Sequence, residues 1–383
     1  MTPNRIAAAA ALVALAACAD ADPTAARAPQ AAPLLTAGAN ALEGRYVVVL
    51  NEGANSRSVA AVAGVSPRYV YTAALSGFAA ELNAGQLNAL RHNPAVRYVE
   101  QDQQVQAAAT QTGATWGLDR IDQRNRPLSG TYTYTSTGTG VYAYVIDTGI
   151  QANHPQFGTR AASVYDALGG TGADCNGHGT HVAGTIGSTT YGVAKNVQLR
   201  GLRVLDCNGS GATSGIIAAV DWVRLNRTNP AVANLSLGGG LSSSLNTAVT
   251  NLANSGVFVA VAAGNSNADA CNYSPASAAA VFTTASSEST DAKRSSSNWG
   301  SCVDGYAPGG SITSTWIGGG TNTISGSSMA SPHVAGVAAL YKATNGNAAT
   351  ATIDTWIKNN ATAGVITGNP SGTPNRLLYK AAL

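Results

Sequence analysis

The 383-residue sequence reads as an α/β body with a mostly parallel sheet covered on both faces, preceded by a small α+β unit. Three observations carry this reading. Short apolar runs of the buried-strand type alternate with stretches of helical spacing from about residue 140 onward, the pattern of parallel sheets wrapped by helices. Charge usage changes near Ala109: before it stand seven Arg and no Lys against three Asp and four Glu, after it ten Arg and five Lys against eleven Asp and one Glu. Such a bias to Asp suits loops, caps and metal ligands rather than helix surfaces. A composition of 45% hydrophobic and 11% charged residues, with 43 Gly and no G-X-Y period, excludes a disordered or collagenous chain.

The elements follow in order. Ile6 to Cys18 is an apolar run of thirteen residues behind Arg5, short of the ~20 that a membrane span needs, and residues 1–18 are read as a signal peptide. Leu15-Ala16-Ala17-Cys18 resembles a bacterial lipobox, so the exported precursor could carry a lipid on Cys18; Ala17-Cys18-Ala19 also fits plain cleavage. In an oxidising compartment the other four cysteines suggest two disulfides, with three pairings open by counting. Residues 19–44, rich in Ala, Pro and Thr, read as linker. Tyr46–Leu50, Gly77–Leu82 and Val96–Glu100 carry strand signals and Ala84–Arg91 helical spacing, giving a compact unit over 45–105 and a weak linker from Gln103 to Gln111. Beyond it lies the main body, 109–383. Strands are expected at Val141–Ile146, Gln198–Leu205, Ala233–Leu237 and Val257–Ala262, and helices at Gly179–Gly187, Thr213–Leu225, Ser244–Leu252, Met329–Lys342 and Ile353–Lys358. A net charge of +3 without any basic run gives nucleic acid no electrostatic footprint.

Chemistry in open α/β sheets collects at the carboxyl ends of strands. Asp147 follows the first apolar run and opens Asp147-Thr148-Gly149; alone it is equally a turn cap, or half of an aspartic-protease pair, although no second Asp-Thr-Gly or Asp-Ser-Gly occurs. Asn176-Gly177-His178-Gly179-Thr180-His181 sets His178 at a helix mouth. A zinc reading with Cys175, His181 and Cys207 has no common structural spacing. Ser325-Gly326-Ser327-Ser328-Met329-Ala330 places Ser328 at a helix N-terminus, where the dipole favours developing negative charge; Ala330 rules out a G-x-S-x-G elbow. Asn265, after Val259–Gly264, is placed to aim its amide into a cleft, or else to form an Asx turn.

Asp, His and Ser in this order, joined by an Asn, resemble the subtilase serine proteases, and specifically the aqualysin-like members of the proteinase K group. The strings Trp116–Gln123, Asn208–Gly211, Ser236–Gly239 and Asn272–Ser277 add to the resemblance, which spans 109–383; Ser327 departs from the Thr usual there. The resemblance implies a three-layer subtilisin-like fold and a secreted endopeptidase of broad specificity. Ser328 would be nucleophile, His178 general base, Asp147 its orienter and Asn265 an oxyanion donor. Gly209, Ser210 and Gly211 with Ser236, Leu237 and Gly238 would hold polypeptide substrate as an added strand, and Ala262, Ala263 and Gly264 would line an apolar P1 pocket. The 45–105 unit resembles the inhibitor-type propeptide, acting on its own chain as inhibitor and chaperone and removed by self-cleavage near Ala108 and Ala109. The resemblance further implies disulfides Cys175–Cys207 and Cys271–Cys302, a monomer, and structural Ca2+ on Asp304 with the carbonyls of Ala279 and Val281. Asp119, Asp122 and Gln123, at i, i+3 and i+4 of a helix, suggest a second calcium site. An aspartic protease on Asp147 and a non-enzymatic scaffold stand as alternatives.

Overall fold

The computed structural model describes residues 31–37, 41–104 and 108–383. The expected signal peptide, with Cys18, lies outside the described residues. Two compact units emerge, one of residues up to Thr36 plus Leu42–Asp102, the other of Ala37–Ala41 plus Gln103–Leu383.

The smaller unit is a five-stranded sheet in the order Leu34–Leu35, Val96–Gln103, Ala41–Leu50, Gly77–Glu81, Tyr69–Tyr71, with helices Ser56–Val62 and Ala84–Arg91. Val48, Leu50, Phe78, Leu90 and Val99 form its core. Both helices start on Asn caps: Asn55 accepts from the Ser58 amide, and Asn83 forms a reciprocal capping box with Gln86. Two linker assignments need correction. The first strand begins at Ala41, and Leu34–Leu35 pairs in parallel with Val99–Glu100 while the Ala32 amide and carbonyl bind Arg91, so the end of the first linker belongs to the sheet. Ala109–Thr112, read as linker, pairs with Thr131–Tyr134.

The larger unit is built on a nine-stranded sheet in the order Thr362–Ala363, Arg376–Leu377, Gly305–Pro308, Phe282–Ser287, Phe258–Ala262, Ala231–Leu235, Tyr142–Asp147, Gln198–Arg203, Ala161–Asp166. All pairs are parallel except the two-residue edge strand Thr362–Ala363. Alternation along the strands assigns the faces. Ala143, Val145, Phe258 and Ala260 pack with helices Trp116–Asp122, His178–Gly187, Ser327–Asn345 and Thr350–Asn360; Tyr144, Ile146, Val259 and Val261 pack with Thr213–Asn226 and Ser243–Asn254. The result is the expected three-layer arrangement. Fully buried aliphatic side chains such as Val145 and Ile146 each contribute roughly 1.5–3 kcal/mol. Phe282–Ser287 shows no apolar run because its Thr and Ser are buried in the sheet: Thr283 Oγ1 donates to the Ala276 carbonyl, and the Ser286 amide to Ser297 Oγ.

Candidate active site

Asp147 ends its strand and is inaccessible to solvent. Its Oδ1 accepts from the Thr148 amide at 2.7 Å and faces His178 Nδ1 at 2.7 Å. His178 is the first residue of its helix and leaves 25% of its side chain exposed. Gly177, before it, sits at φ +108°, where a Cβ would lie 2.4 Å from the Trp316 ring. Burial works against the His178 imidazolium, but the Asp147 carboxylate, its hydrogen bond and the more distant Asp174 outweigh it and raise the pKa above 6.5. His181, one turn along, is buried with Nε2 on the Ile312 carbonyl, and burial drives its pKa down to about 4. Cys175 is bonded to Cys207, so the zinc reading fails on its cysteines; Cys271 is bonded to Cys302.

Ser328 is the second residue of helix Ser327–Asn345, where first-turn amides have no intrahelical acceptor. Its Oγ donates to the Ser236 carbonyl at 3.1 Å, and its own carbonyl accepts from Ser236 Oγ at 2.7 Å. Ser236 follows the strand Ala231–Leu235, the direct neighbour of the Asp147 strand. Asn265 follows Phe258–Ala262, and its Oδ1 accepts from the Ser327 amide while Ser327 Oγ accepts from the Gly264 amide. This clamp occupies the Asn265 carbonyl oxygen and leaves its NH2 as the group able to reach a ligand. The hydroxyl that the clamp needs is present on Ser as it would be on Thr.

A 600 Å³ groove is lined by His178, by Gly209, Ser210 and Gly211, and by Ser236, Leu237 and Gly238. It adjoins a 250 Å³ cavity lined by Ala262, Ala263, Gly264, Asn265 and Ser328, with no charged residue in its wall. The substrate-binding candidates therefore come together around the triad candidates.

Supporting residues went unnoticed in the sequence. Asp174 accepts through Oδ1 from Thr148 Oγ1 and the amides of Asn176 and Gly177, and through Oδ2 from the amide and hydroxyl of Thr180, tying the Asp147 strand end to the His178 helix. Ser331 Oγ donates to Asn234 Oδ1, and Asn234 Nδ2 to Ser236 Oγ, extending the Ser328 contact inward. Buried Asn298 donates to the Ala263 carbonyl and accepts from the Ser266 and Ala268 amides, holding the Asn265 turn. Asp174, an Asx-type residue just ahead of a helix, was the detectable one.

A subtilase model matches residues 138–377 and a peptidase inhibitor I9 model residues 49–108. The chain belongs to the subtilase family. It is 49% identical over 398 aligned residues to an extracellular serine proteinase of Thermus sp. (strain Rt41A), covering 96% of this chain and 97% of that one. It is 54% identical over 318 residues to alkaline serine exoprotease A of Vibrio alginolyticus, covering 81% of this chain but 59% of the relative's length. A crystal structure of a cold-adapted subtilisin-like serine proteinase matches 71% of this chain and all of its own, at 54% identity and a TM-score of 0.70. This subtilase is a serine endopeptidase with an I9-type front unit. Among the described residues no helix is long and apolar enough to cross a membrane.

Subtilisins generally bind structural calcium, and of the residues expected to hold it here Asp304 fits poorly. Asp304 Oδ1 is paired with the Lys358 ammonium at 2.7 Å and Oδ2 accepts from the Thr283 amide, while the Ala279 carbonyl accepts from Thr250 Oγ1. Gln123 lies past the end of its helix in extended backbone, so the expected i, i+3, i+4 face ends at Asp122. Asp119 Oδ1 and Gln123 Oε1 nevertheless both accept from the Ser129 amide, and Asp119 Oδ2 accepts from the Gly130 amide; Asp122 Oδ2 accepts from the Thr133 amide while its buried Oδ1 has no partner among the described residues, and Gln123 Nε2 donates to the Asn125 and Pro127 carbonyls.

Proposed function

We propose that this subtilase hydrolyses peptide bonds through Asp147, His178 and Ser328, with Asn265 in the oxyanion hole. The observation that carries the reading is the 2.7 Å pairing of His178 with Asp147, beside a groove that continues to Ser328. In the resting arrangement the Ser328 hydroxyl donates to the Ser236 carbonyl; attack requires it to turn to His178, a tightening common when substrate arrives. His178 takes the proton and returns it to the leaving amine. Asp147 fixes the tautomer with its proton on Nδ1 and stabilises the imidazolium. The Asn265 NH2 and the Ser328 amide hold the oxyanion. Only the Thr148 amide and His178 donate to the Asp147 side chain among the described residues, which leaves the aspartic-protease alternative without its second carboxylate.

The segments 209–211 and 236–238 take substrate as an added strand that reads mainly backbone, so specificity is broad. The uncharged wall of Ala262, Ala263 and Gly264 favours apolar or aromatic P1 residues. The front unit inhibits the enzyme in cis, assists its folding and is cut away near Ala108 and Ala109, giving a secreted monomer. Ser328→Ala, expressed in a host without other secreted proteases, should accumulate uncut, whereas the parent should mature. Maturation of the inert variant would refute self-processing.

A further inference from the structure

The poor fit at Asp304 has a positive counterpart. Lys358 lies on helix Thr350–Asn360 with its ammonium 2.7 Å from Asp304 Oδ1 and 2.8 Å from Asp354 Oδ2, one turn earlier on the same helix. Its nitrogen also lies 5.9 Å from the centre of the Phe282 ring. Asp304 stands at the foot of strand Gly305–Pro308, two residues after disulfide-bonded Cys302. The ammonium therefore joins the helix to the sheet with three-quarters of each charged side chain shielded from solvent. The same 620 Å³ surface recess is lined by Ala279, Val281, Asp304, Asp354 and Lys358.

We propose that Lys358 is the resident cation of this recess, a covalently attached ammonium in the place where the resemblance would put calcium on Asp304, so that this corner of the fold is held together without metal. A divalent ion entering would have to displace the ammonium from Asp304 or sit beside it against like-charge repulsion, while the second oxygen of Asp304 is already engaged by the Thr283 amide. The chain's own cation also loses no binding at low calcium, since its effective concentration is fixed by the helix.

The test uses the full chain carrying Ser328→Ala to prevent autolysis, with unfolding followed by tryptophan fluorescence in millimolar calcium and in EGTA. Asp304→Asn should lower the midpoint equally in both media, leaving any calcium response of the parent unchanged. Lys358→Met should lower the midpoint in EGTA and acquire a further calcium-dependent rise of about 5 °C at a hundredfold excess over Kd, which disappears in the Lys358→Met, Asp304→Asn double variant. Lys358→Gln, which keeps most of the stem and removes the charge, repeats the measurement should the Met variant fail to fold. A calcium response that Asp304→Asn diminishes while Lys358 is intact would overturn the proposal. So would charge-removed Lys358 variants with no added calcium response.

Discussion

Acidification should unfold the catalytic unit through two histidines that take no part in the chemistry. His181 and His333 are buried in the main core, one on the Ile312 carbonyl and one on the Met329 carbonyl, and burial drives both pKa values down to about 4 from 6.5. A lowered folded pKa stabilises only while the folded group stays neutral, so the contribution is complete above 6.5 and is lost as pH falls toward 4. Each shift corresponds to about 3 kcal/mol, and together they approach half or more of a typical domain stability. Near pH 5 the unfolded chain binds about two more protons, so stability should fall by about 3 kcal/mol per pH unit. The raised pKa values of the Asp122 and Asp304 carboxyls act in the opposite sense and soften the slope at its acid end, whereas the raised pKa of His178 acts only around and above pH 6.5. All five tryptophans lie beyond Ala109, so tryptophan fluorescence in urea reads this unit alone in the full-length Ser328→Ala protein. His333→Gln should flatten the pH dependence by about half even where it lowers stability overall. A stability that is constant from pH 6.5 to 4.5, or a slope that the substitution leaves intact, would refute the burial argument.

Asn265→Ala should lower kcat by 10²- to 10³-fold with KM nearly unchanged, the ~3–4 kcal/mol that an oxyanion donor contributes in subtilisins, and a loss expressed mainly in KM would contradict the oxyanion role. Asp174→Asn removes a carboxylate that raises the His178 pKa and turns one of its two accepting oxygens into an NH2, which cannot accept from the Thr180 amide, so kcat/KM should drop while the acid limb of its pH profile moves to lower pH. An unmoved limb would leave Asp174 a purely structural role. Asp147→Asn should leave the fold intact yet lower kcat by about 10⁴ through the wrong tautomer, as in serine-protease triads generally; near-normal turnover would remove Asp147 from the mechanism.

Apolar strand runs and the boxes around Asp147, His178, Asn265 and Ser328 were legible because each couples a buried run to Gly, Asn or Ser at its end. The Phe282–Ser287 strand was not, since its buried hydroxyls imitate a loop, and Leu34–Leu35 was too short to show a period. Helix Ser56–Val62 was hidden by its length, although Asn55 marked its start. The calcium expectations rest on acidic residues, where sequence is least informative. An acidic side chain looks the same whether it faces an ion, a backbone amide as Asp119 does, or a lysine as Asp304 does. Asp174 and Asn298 act through backbone groups whose positions exist only after folding.

The most direct measurement is mass spectrometry of the mature enzyme after reaction with a fluorophosphonate. One adduct per chain is expected, on Ser328, formed together with loss of peptidase activity. Full inactivation with the label on another residue, or undiminished activity with Ser328 fully labelled, would contradict it.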